Sequence, residues 1–115
     1  MTKEITVTDL KALVDAKEKI QLIDVREPHE LEIATIGGIN IPQNDIPQSI
    51  DKIDKDKQVI VYCRSGVRSA NAIKFIQSKT GQENLYNLKG GIKAIFMPSV
   101  NLQRDNYLQI FQVVK

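Results

Sequence analysis

Six residues in a row, Gln58 to Cys63 (QVIVYC), are β-branched or apolar with one exception, and no other stretch restricts the fold of this chain so strongly. Successive side chains of a strand point to opposite faces, so Val59, Ile60, Val61 and Tyr62 put apolar surface on both. Such a strand is stable only when layers cover it on both sides. A second run, IQLIDV (Ile20 to Val25), reads as another buried strand.

Segments of helical period supply the cover. Thr6 or Thr8 caps a helix in which Leu10, Leu13 and Val14 share a face. EPHELEI has a proline for its first turn and early acidic residues, which predicts a short helix. GGINIP (Gly37 to Pro42) predicts a turn, a brief strand and a proline break, and DIPQSIDKI (Asp45 to Ile53) carries apolar residues at helical spacing. From Val67 to Lys79, Ala70, Ile73 and Ile76 recur at helical intervals up to a stop at Gly81. ENLYNL (Glu83 to Leu88) predicts a further short strand, and GGIKAIF (Gly90 to Phe96) a last helical turn or two. Strands alternating with helices imply the α/β class, with a mostly parallel central sheet and helices on both faces. In the tail from Met97 to Lys115, YLQIFQVV forms a strand or helix able to cover the sheet edge.

The chain of 115 residues suits a single domain, 1–115, with one core. With 42% hydrophobic and 26% charged residues it has the composition of a soluble globular protein, and no apolar run nears the roughly 20 residues of a membrane-spanning helix. Its 16 basic and 14 acidic residues leave a net charge of +2 without a basic stripe, so nucleic acid is not an expected partner. The polar start MTKEITVTDL lacks the apolar segment of a signal peptide, which makes the cytoplasm the expected compartment. There Cys63, the only cysteine, stays a free thiol.

A lone cysteine is most often a small buried hydrophobe. Cys63, however, ends its strand where the next helix is about to begin, and in open α/β sheets functional groups gather at the carboxyl ends of strands. The following RSGVRS, Arg64 to Ser69, brings backbone N–H groups around the sulfur, with Gly66 permitting a backbone that a side chain would forbid. The helix N-terminus near Val67, Arg64 and Arg68 add positive charge. These features predict an anion cradle and a Cys63 thiol ionised at neutral pH.

Three motifs, DVREPHE (Asp24 to Glu30), VYCRSGVRSA (Val61 to Ala70) and NLKGGIKA (Asn87 to Ala94), resemble in order and separation the signatures of the rhodanese domain. The resemblance covers nearly the whole chain up to about Ala94. HELEIATIGGINIP, YNLKGGIKA and PSVNLQRDNY bring it nearest to the rhodanese domain that ends the fused adenylyltransferase-sulfurtransferases of molybdopterin and thiamine sulfur transfer.

The resemblance implies a rhodanese-like α/β fold and a sulfurtransferase. Such an enzyme moves a sulfane sulfur from thiosulfate or a protein persulfide to cyanide, a thiol or a sulfur-carrier protein. It implies Cys63 as the catalytic nucleophile, carrying a persulfide held by the loop Arg64, Ser65, Gly66, Val67, Arg68 and Ser69. Asp24 and Arg26 take a structural role through an ion pair or hydrogen bonds, and Gly90 and Gly91 meet the backbone needs of a tight turn. The implied partners are a small anionic sulfur donor, a sulfur-carrier protein or a cysteine desulfurase. No metal and no cofactor beyond the transient sulfur on Cys63 is expected. A thiol already ionised needs no base, so His29, the only histidine, is read as a surface residue at a helix start.

Two other readings stay open. Some domains of this fold only bind partners, although those are expected to lack the cysteine. Related phosphatases show C-x5-R, whereas Cys63 and Arg68 form C-x4-R, a ring better suited to one sulfur than to phosphate. The chain departs from the wider family at Ala34, Thr35 and Ile36, where Gly-His-Ile is common, in agreement with the adenylyltransferase-linked subgroup. It also carries Ile95 where a tryptophan is usual, which bears on the pocket wall and the acceptor.

Overall fold

In the computed structural model, which describes residues 2–32 and 34–96, the two apolar runs lie side by side at the centre of one sheet. The strands are β1 (Glu4–Ile5), β2 (Ile20–Asp24), β3 (Ile39–Asn40), β4 (Gln58–Tyr62) and β5 (Leu85–Leu88), in spatial order β1-β5-β4-β2-β3. All four pairings are parallel. β4 is flanked on both edges as well as covered on both faces, which is why its sequence is apolar almost without interruption.

Alternation along β4 divides the core into two layers. Val59 and Val61 face one side with Ile23, Leu85 and the α3 residues Ala72, Ile73 and Ile76. Ile60 and Tyr62 face the other with Leu88, Ile92, Ile95 and the α1 residues Val7 and Leu10. The helices are α1 (Val7–Asp15), α2 (Pro28–Leu31), α3 (Val67–Thr80) and α4 (Lys93–Phe96). Helices thus sit on both faces of a parallel sheet, the α/β arrangement expected from the alternation of elements. Of the two candidate caps for α1, Thr6 serves: its hydroxyl accepts from Asp9 N at 3.0 Å. α3 ends at Gly81, whose N–H bonds the Gln77 carbonyl at 2.9 Å.

One local expectation is corrected, and one strand is added. The apolar spacing of Asp45 to Ile53 belongs to two 3-10 turns, Gln43–Gln48 and Ile50–Lys52, and not to an α-helix. Pro47 lies inside the first and has no N–H to give to an α-helical bond, while Ile46 and Ile53 are still buried against α3. The two-residue β1, unannounced by the sequence, exists because Lys3 and Ile5 carbonyls accept from Asn87 and Lys89 N–H at the free edge of β5. No helix among the described residues is long and apolar enough to cross a membrane. The expectation for YLQIFQVV lies outside the described residues.

Candidate active site

Cys63 follows the last residue of β4, and α3 begins four residues later, so the loop between them is short and closely tied. Gly66 caps α3 with φ +105°, a left-handed conformation open to glycine at little cost. That turn aims its N–H back at Cys63 Sγ, 3.1 Å away. The loop is also held from behind. Ile92 N–H donates to the Cys63 carbonyl and Lys93 N–H to the Arg64 carbonyl, both at 2.9 Å. This approach requires Gly91, whose φ is +63° and where a Cβ would stand 2.6 Å from the Cys63 carbonyl oxygen and closer still to that of Arg64. Gly91 therefore permits the contact between two chain segments as well as the turn itself.

Cys63 is 1% exposed and packs with the apolar layer of α3, so it is a core residue and a loop residue at once. Burial pushes its pKa up, but the Ser69 hydroxyl and the backbone N–H groups of Ser69, Gly66 and Ser65 outweigh burial and hold the thiol below its ordinary value. Ser69 Oγ lies 3.3 Å from Sγ and donates to Asn87 Oδ1 at 2.5 Å. Asn87 is oriented by its other arm, since Nδ2 donates to the Gly66 carbonyl at 3.0 Å. The single hydroxyl proton of Ser69 thus has two claimants, an amide oxygen that can only accept and a sulfur that accepts once ionised.

The two arginines of the loop part company. Arg64 is exposed, and its side chain has no ion-pair or hydrogen-bond partner among the described residues. Arg68, expected beside it in the cradle, commits its fork to Glu30, with Nη1 to Oε2 at 2.8 Å and Nη2 to Oε1 at 2.9 Å. These two bonds, with help from the Glu27 N–H and against the effect of burial, hold the Glu30 carboxyl at about 2. Val67, at the start of α3, is 66% exposed, an apolar side chain in water beside the loop.

Asp24 and Arg26 form a pair 1% and 5% exposed, with Arg26 Nη2 to Asp24 Oδ2 at 2.8 Å and Arg26 Nε to Asp24 Oδ1 at 3.0 Å. Arg26 also donates to the Ala34 carbonyl at 2.8 Å, and Asn40 ties the Asp24 and Arg26 carbonyls together. The pair fixes the connection after β2 and makes no hydrogen bond to Cys63. His29 is exposed on α2 and bonds no other described residue. Ile95 is fully buried in the layer on the far side of the sheet from Cys63. No three His, Cys, Asp or Glu side chains gather as metal ligands among the described residues.

Sequence reasoning missed Glu30 and Asn87. Glu30 had a signal: with Glu27 three residues earlier it completes a capping box, accepting the Glu27 N–H at 2.9 Å. Asn87 was visible only as a polar residue in an apolar strand, facing the same layer as Leu85 and Cys63.

The sequence matches the family model of the rhodanese-like domain over residues 6–97. It is 39% identical over 93 residues to the putative sulfurtransferase YtwF of Bacillus subtilis, spanning 80% of this chain and 88% of that one. It is 38% identical over 93 residues to the probable adenylyltransferase/sulfurtransferase MoeZ of Mycobacterium tuberculosis, spanning 78% of this chain and 24% of that larger protein. Among solved structures, a rhodanese-related protein from Thermoplasma volcanium superposes with a TM-score of 0.70 at 34% identity, covering 80% of this chain and 88% of that one.

Proposed function

From a chain that belongs to the rhodanese-like domain family, we propose a sulfurtransferase in which Cys63 carries the sulfur in transit as a persulfide. The observation that carries this reading is the polar surround of one sulfur, with the Gly66 N–H donating to it at 3.1 Å and the Ser69 hydroxyl 3.3 Å away, able to turn its proton to a thiolate. Relatives named as sulfurtransferases, at 39% and 35% identity, support it.

The Cys63 thiolate attacks the outer sulfur of the donor and forms a new S–S bond. The donor's own S–S bond breaks, and its electron pair leaves with sulfite when thiosulfate is the donor, or with a thiolate when a protein persulfide is. The negative charge then rests on the terminal sulfur of the persulfide, where the N–H groups of the loop from Arg64 to Ser69 face it as an oxyanion hole faces its oxygen. An acceptor nucleophile, cyanide or a thiol, attacks that terminal sulfur, forms thiocyanate or a new persulfide, and returns Cys63 to thiolate. The cycle uses no cofactor and no metal. The mycobacterial relative is named as both adenylyltransferase and sulfurtransferase, and that pairing of activities supports a protein-borne rather than a free small acceptor.

Intact mass before and after thiosulfate or a cysteine desulfurase, then after cyanide, tests the reading. The expected result is a gain of one sulfur that cyanide removes and that Cys63→Ser prevents. No gain from either donor would assign the chain to partner binding without turnover.

A further inference from the structure

We infer that Glu30 sets which donors the Cys63 loop accepts, by neutralising Arg68 and so favouring donors with at most one negative charge over dianions. This rests on the sulfurtransferase reading above. A loop with two free arginines would suit thiosulfate, a dianion. Here Arg68 gives one N–H from each terminal nitrogen to a single carboxylate, so its positive charge is compensated by Glu30 at contact distance before any anion arrives. Glu30 cannot swing away freely, because Oε2 also accepts the Glu27 N–H at 2.9 Å and Pro28 opens the short helix that carries it.

The charges around the sulfur then balance. Attack requires a Cys63 thiolate, which with Glu30 opposes the two cations Arg64 and Arg68. The pair is half-buried, with Arg68 35% and Glu30 21% exposed, so an arriving donor senses it with less screening than a pair in open water. What remains for the donor is the backbone N–H groups and the N-terminus of the 14-residue α3. That is enough for one charge and poor for two. A persulfide donor, neutral or singly charged at its reacting end, meets no such penalty.

Two small donors with the same reacting sulfur separate charge from chemistry. Thiosulfate expels sulfite, and methanethiosulfonate, a monoanion, expels methanesulfinate, each leaving one sulfur on Cys63. The readout is the ratio of kcat/KM for thiosulfate to that for methanethiosulfonate. Glu30→Gln keeps an oxygen for the Glu27 N–H while removing the charge, and the ratio is expected to rise about tenfold at low salt, with the gain shrinking as ionic strength increases. Adding Arg68→Gln to that variant should cancel the gain, which a merely structural role for Glu30 would not predict. Glu30→Ala serves as the second variant should the first fail to fold. A ratio unchanged or lowered, with both donors loading Cys63, overturns the inference alone. Loading from neither donor or a desulfurase by the unaltered protein overturns the sulfurtransferase reading and this inference with it.

Discussion

Ser69 donates its one hydroxyl proton to Asn87 across 2.5 Å while its oxygen stands 3.3 Å from the Cys63 sulfur. When Cys63 carries its proton, the thiol can point at Ser69 and the chain of donors runs toward Asn87. When Cys63 ionises, the Ser69 proton is better placed on sulfur, and Asn87 Oδ1 loses its donor. The thiolate is therefore stabilised by a hydroxyl that has another partner to satisfy, and the backbone N–H groups supply the part that is uncontested.

Ser69→Ala should move the ionisation of Cys63 upward and slow its alkylation at pH 7 roughly tenfold, since a hydrogen bond to a charged group contributes about 1.5 kcal/mol. In the unaltered protein the thiol is an acid with a lowered pKa, so its reactivity persists below the range of a free thiol and falls as pH drops through the lowered value. Iodoacetamide rates across pH measure both. Equal profiles for the two proteins would remove Ser69 from the account.

Gly91→Ala should destabilise the fold by about 2–4 kcal/mol, combining a left-handed backbone with a Cβ driven into the loop carbonyls. Because those carbonyls belong to Cys63 and Arg64, sulfur loading should fall in whatever fraction remains folded. Urea unfolding followed by intact mass after thiosulfate gives the two readings from one preparation.

Arg26→Ala leaves the Asp24 carboxylate uncompensated at 1% exposure, for which about 3–5 kcal/mol is expected. Removing both charges, as in Asp24→Asn with Arg26→Met, should cost less than Arg26→Ala alone. A loss below about 1 kcal/mol in the urea midpoint of Arg26→Ala would show that the pair does not hold the loop after β2.

Arg68 holds the Glu30 carboxyl at about 2 against an ordinary 4.5, so the unfolded chain binds this proton more readily than the folded one. The pair accordingly stabilises the fold above about pH 4.5, and its contribution is lost as pH falls from there through 2. Partial exposure and screening limit the effect to about 1 kcal/mol or less. Thermal unfolding of Glu30→Gln should show a shallower acid decline over that window than the unaltered protein.

Strands at Ile20 to Asp24 and Gln58 to Tyr62, the α3 span with its glycine stop, and the thiol at a strand end were all legible from residue order alone. Each rests on a pattern completed within a turn or a strand: period two against period 3.6, a threonine cap, a glycine with positive φ. Tertiary structure decided the rest. β1 is a strand because β5 offers it a free edge, and the segment around Pro47 is a 3-10 turn because it must bury Ile46 against α3 without a proline N–H. Asn87 meets Ser69 across 18 residues because parallel pairing sets Asn87 beside Val61 in the register of β4 and β5. Glu30 captures Arg68 across 38 residues, turning a cation that the sequence places in the cradle into half of an ion pair. Local order shows which groups the loop contains. Which of their charges and protons are free depends on contacts between distant segments, and these exist only once the sheet has assembled.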